Sequence, residues 1–109
     1  MKTFYAKDRK TWRDWLEKNH DKEKEIWLVY YRKSSGKPTI SYNDSVEEVL
    51  CFGWIDSKEI SLDSERFAGR FTPRKPKSNW SESNRARAKK LTEQGLMTAA
   101  GRKVLPKDL

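Results

Sequence analysis

The chain has 109 residues, 35% of them hydrophobic and 37% charged, and a formal net charge of +8. That length fits one domain spanning residues 1–109 and excludes two ordinary ones, while five Trp, four Tyr and four Phe supply the apolar area for a core without metal or disulfide support. A single cysteine, Cys51, excludes an internal disulfide and suits a reducing cytosol; no apolar run approaches the roughly 20 residues of a membrane span, and the opening MKTFYAKDRKTW has no apolar signal-peptide core.

In chain order, DRKTWRDWLEKNH predicts a first helix. Asp8 is its N-cap, Trp12, Trp15 and Leu16 share one face, and Asn19-His20 ends it. EIWLVYYRK (25–33) is a strand whose near-continuous apolarity places it inside a sheet. SSGKPT is a turn. SYNDSVEEVLCFGW is a second helix, with Ser41 as its cap, Tyr42, Val46, Val49 and Leu50 on one face, and Gly53 ending it. Residues 55–63 and 65–74 are two strands joined across Asp63-Ser64, with Gly69 marking a bulge. SESNRARAKKLTEQG is a helix between Ser81 and Gly95, and MTAAGRKVLPKDL opens a last short one. The order α-β-α-β-β-α predicts an α+β domain with a small, mostly antiparallel sheet packed by helices.

The charge is segregated. Residues 66–107 hold twelve Lys and Arg against two acids, while the remainder is slightly acidic. Such a division creates a local positive field unless the two halves interleave in the fold. Its densest part is RFTPRKPKSNWSESN (70–84), where Arg70, Arg74 and Lys77 accompany Pro73, Pro76, Ser78 and Trp80. This stretch leads into a helix N-terminus capped by Ser81, with Asn84 behind it. Helix N-termini present unpaired N–H groups and partial positive charge, and Trp80 adds a stacking face. Arg85, Arg87, Lys89 and Lys90 extend the basic surface. Interleaved basic and aromatic residues suit nucleic acid or a phosphorylated small molecule. The other reading of the same residues is a solvated basic face with a core tryptophan.

Asp56, just after Gly53-Trp54-Ile55, is placed to orient Arg70 or Arg74 by a bidentate pair, or to act as acid or base on an anionic substrate clamped by Arg74. Metal binding and a cofactor are not expected. One His and one Cys make no ligand-spaced cluster, no Gly-rich phosphate loop exists, His20 reads as a helix-end residue, and Cys51 reads as a buried thiol.

The blocks TWRDWLEKNH, IWLVYYRKSSG, SYNDSVEEVLCFGWIDS, RFTPRKPKSNWSESN and LTEQGLMTAAG, in order over roughly residues 4–101, resemble the bacterial YdeI/OmpD-associated family, also labelled bacteriocin-protection or OmdA-like. The resemblance implies no particular reaction or cofactor. Its labels imply a stress-protection protein with a porin partner. It also implies that Trp54, Asp56, Ser57, Arg70, Pro73, Arg74, Lys77, Ser78, Trp80, Ser81 and Asn84 share one pocket near the sheet. Three functions compete: a binding module for an anionic ligand, a small enzyme using Asp56 and Arg74, and a protein-interaction factor with an exposed apolar patch.

Overall fold

The computed structural model describes residues 1–75 and 78–109. Among these residues the architecture is α+β: four helices and one mixed four-stranded sheet. The elements are β1 (Thr3–Tyr5), α1 (Arg9–Asn19), β2 (Ile26–Tyr31), α2 (Tyr42–Cys51), β3 (Trp54–Ser61), β4 (Arg66–Pro73), α3 (Glu82–Glu93) and the short α4 (Ala99–Arg102). A single 3-10 turn, Lys33–Ser35, interrupts the connection after β2.

The sheet order is β1-β2-β4-β3. β2 is interior, as its unbroken apolar run requires, and pairs antiparallel with β4. The predicted order omits β1. Its three residues are too few to show an alternation, yet they pair in parallel with Trp27, Leu28 and Val29, and α1 supplies the crossover that a parallel pair needs.

Local chemistry sets the helix starts. The side chains of Asp8, Ser41 and Ser81 accept from the backbone N–H groups of Thr11, Asp44 and Asn84, respectively. α1 buries Trp12 and Leu16 completely. Trp12 stacks on Trp15 and packs against Phe71, with ring centroids 5.4 and 5.6 Å away. It also donates its indole N–H to the Ser45 carbonyl (3.2 Å). The register puts Ile26, Leu28 and Tyr30 on the same sheet face as Phe71, Gly69 and Phe67, and α1 and α2 cover that face.

The β3–β4 hairpin turns at Asp63, whose Oδ1 accepts from the N–H groups of Glu65 and Arg66. Its bulge lies on β3. Asp56 pairs with Phe71 and Glu59 with Gly69, so the extra residue falls between 56 and 59 and not at Gly69 as the sequence predicts. Gly69 has a different reason to be glycine: a Cβ there would meet the Tyr30 ring at 3.3 Å.

α3 lies beside α2 and runs parallel to it. Arg87 bonds Asn43, and one turn further on Lys90 pairs with Glu47. Both N-termini therefore open toward the same end of the domain. Glu47 and Glu48, almost fully buried, are held by Arg9, Arg13 and Lys90, and this ion network joins α1, α2 and α3. No helix among the described residues is long and apolar enough to cross a membrane.

Candidate anion site around Arg74

Arg74 leaves the end of β4 with its N–H bonded to the Gly53 carbonyl (2.8 Å), which fixes its backbone against the start of β3. The residue is buried, only 5% exposed. Nη1 donates to Ser78 Oγ (3.0 Å) and to the Asn79 carbonyl (3.1 Å). The guanidinium lies over the Trp80 ring, 3.9 Å from its centroid. Nε and Nη2 have no hydrogen-bond partner among the described residues. Those two N–H groups form the side-on fork that grips carboxylates and phosphates in two parallel bonds. Burial lowers the guanidinium's pKa and the nearby Asp56 opposes this, but the group remains a cation.

The structure brings Arg74, Ser78 and Trp80 together, directly before the capped start of α3. Ser81 caps it, and Asn84 Oδ1 accepts from Arg87 (3.0 Å), whose own Nε and Nη2 hold Asn43 of α2. Trp80 and Ser78 also border a groove of about 340 Å³ with Arg85, Leu105, Pro106 and Lys107. Lys77 lies outside the described residues.

Other predicted residues lie elsewhere. Trp54 is core: it is buried, packs edge-on to Trp15 at 6.1 Å and donates its indole N–H to the His20 carbonyl. Arg70 projects from the sheet face opposite Phe71 and pairs with Glu25 (2.7 Å), with Ser57 at 3.4 Å. Strand alternation separates it from Asp56. Asp56 therefore orients neither Arg70 nor Arg74 through an ion pair. Its Oδ2 accepts from the Tyr42 hydroxyl at 2.7 Å. Burial, followed by that hydrogen bond to Asp56, raises the Tyr42 pKa, so the phenol stays protonated and donates. Sequence reasoning places Tyr42 on the apolar face of its helix and misses this role. The only signal for it is a position one residue after the Ser41 cap. Ser45 Oγ donates to the Tyr42 carbonyl, so the Tyr30 hydroxyl donates to Ser45 (2.6 Å).

The basic excess of residues 66–107 is partly neutralised by interleaving. Arg66 pairs with Asp63, Arg70 with Glu25, Arg85 with Asp108 and Lys90 with Glu47. Cys51 is buried, and burial pushes its thiol up to about 11, out of the range of a neutral-pH nucleophile. Among the described residues no three His, Cys, Asp or Glu side chains gather to hold a metal ion.

A family model, described as a domain of unknown function (DUF8412), matches residues 4–104. The chain belongs to this family. No curated protein and no solved structure matches it. The match begins within β1 and extends past α4, so Arg74, Trp80 and Asp56 all fall within the family's domain.

Proposed function

We propose that the chain is a binding module for a small anionic ligand, a carboxylate or phosphate, taken up by Arg74. The supporting observation is the fork. A buried guanidinium held through Nη1 and an aromatic face, with Nε and Nη2 unpartnered among the described residues, lacks two hydrogen bonds worth about 1–3 kcal/mol each when left unmade. An oxyanion supplies both. The two nitrogens are out of contact with solvent, so uptake displaces a neighbouring side chain.

The pairing of Arg66, Arg70, Arg85 and Lys90 with acids favours a small anion over nucleic acid, because those charges are already compensated. The protein-interaction reading needs an apolar patch. The exposed large hydrophobic residues among those described are Met1, Tyr5 and Leu109, which form no such patch by themselves. The enzyme reading rests on Asp56, which Tyr42 holds on the same side of the sheet as the helices.

Titration with inorganic phosphate, acetate and short oligonucleotides tests the reading, with Arg74→Lys as the variant. Saturable binding of phosphate or acetate, weakened about tenfold or more by the loss of the planar fork, supports it. Oligonucleotide binding whose salt slope corresponds to about six or more phosphate contacts would favour the nucleic-acid reading instead.

A further inference from the structure

We infer that the ligand of Arg74 is a zwitterion, an oxyanion that also carries an ammonium group, and that Asp56 receives the ammonium. This rests on the anion reading above and specifies its ligand. Arg74 and Asp56 leave the same end of the β3–β4 ladder: the Arg74 N–H bonds the Gly53 carbonyl, and Asp56 pairs with Phe71, three residues before Arg74. Arg74 stands one residue past the end of β4, beyond the strand's alternation, and the Asp56 charge acts on its guanidinium. The two charges nevertheless form no ion pair. Ser78, Asn79 and Trp80 hold the guanidinium, and Tyr42 holds the carboxylate through Oδ2, leaving Oδ1 without a donor among the described residues.

Opposite charges that could close on each other are kept apart by separate sets of contacts, each with one unused edge. The unused edges are a donor fork on Arg74 and an acceptor oxygen on Asp56. A plain anion at the fork is repelled by the Asp56 carboxylate, which lowers its affinity. A ligand carrying its own cation converts that repulsion into a contact.

The test compares paired probes by calorimetry: phosphoethanolamine with ethyl phosphate, and β-alanine with propionate. The two pairs separate a phosphate from a carboxylate source. Within at least one pair the amine is expected to bind about tenfold or more tighter to the wild type, with the ratio collapsing to about one in Asp56→Asn. Asn at this position can still accept from Tyr42, so the variant is expected to fold, and its melting temperature checks that it does. Ethyl phosphate is expected to bind Asp56→Asn more tightly than wild type. Equal affinity within both pairs, or a ratio unchanged in Asp56→Asn, overturns the zwitterion inference while leaving the Arg74 anion site standing. Binding of none of the four probes overturns both.

Discussion

Arg74 rests on Trp80, its guanidinium carbon 3.9 Å from the ring centroid, and the ring carries the cation's flat face while Ser78 and Asn79 hold one end of it. A purely structural arginine in such a place spends its donors on the fold. Arg13 does so, bonding Glu48 and the Leu96 carbonyl with its two terminal nitrogens. Arg74 leaves two of its three nitrogens, Nε and Nη2, without a partner among the described residues.

That difference makes Arg74 expendable for folding. In Arg74→Met the thioether keeps most of the packing on Trp80, the bonds to Ser78 and Asn79 go, and the cost of two unmet buried N–H groups goes with them. These effects oppose each other. The expected change in unfolding free energy is within about 1 kcal/mol, together with loss of the stabilisation that phosphate or acetate confers on the wild type. Urea unfolding with and without the anion measures both. A loss of about 3 kcal/mol or more would make Arg74 a structural pillar.

Gly53 joins α2 to β3 with φ +77°, and a Cβ there would lie 2.9 Å from the Ala100 carbonyl oxygen. Gly53→Ala therefore combines a left-handed backbone penalty with a clash against α4. The expected loss is about 2–3 kcal/mol, read as a lower urea midpoint. Gly95 is the control: it is also at positive φ (+73°), but a Cβ there would meet nothing within 4 Å. Gly95→Ala is expected to cost only the backbone penalty of about 1 kcal/mol.

Glu47 sets a pH dependence. Burial pushes its carboxyl pKa up, but the bonds from Lys90 and Arg9 pull it further down, leaving it below its ordinary value of 4.5. A carboxyl with a depressed folded pKa stabilises the fold above the unfolded value, and that contribution disappears as pH falls through the folded value. In Glu47→Gln it is absent throughout. The wild type is expected to exceed the variant by about 1–2 kcal/mol at neutral pH, a figure kept low because Lys90 is half-exposed, and the gap should shrink as pH falls below the ordinary carboxyl value of 4.5 and through the depressed folded one. Unfolding curves at neutral and at acidic pH test this, and a constant gap would remove the ionised carboxylate from the explanation.

The sequence carries the elements better than their partners. The caps at Asp8, Ser41 and Ser81 are three-residue signals, complete within the chain, and the structure has all three. The interior position of β2 follows from its apolar run. β1 is too short to announce itself, and the bulge depends on register between strands, which a single glycine does not reveal. Within the candidate site, the opposite directions of Arg70 and Phe71 follow from strand alternation, so the separation of Arg70 from Asp56 is legible in principle. The capture of Arg87 by Asn43 and of Lys90 by Glu47 is not, because it needs α2 and α3 side by side and parallel. The unused fork of Arg74 is an atomic property that no residue pattern encodes.

Ser78→Asp offers the most direct check of that fork's charge. The Ser78 hydroxyl already lies 3.0 Å from Nη1, so a carboxylate at this position brings a permanent internal anion to the buried guanidinium. A charge-assisted bond in place of a neutral one is expected to raise stability by about 1–2 kcal/mol. The same carboxylate competes with any external oxyanion, so phosphate or acetate should no longer shift the melting temperature. The two effects are linked: an Arg74 in want of an anion gains from an internal one and then ignores external ones. If Ser78→Asp were less stable than the wild type and still responded to phosphate, the anion deficit at Arg74 would be refuted, and the binding site would have to lie elsewhere on the α3 side of the domain.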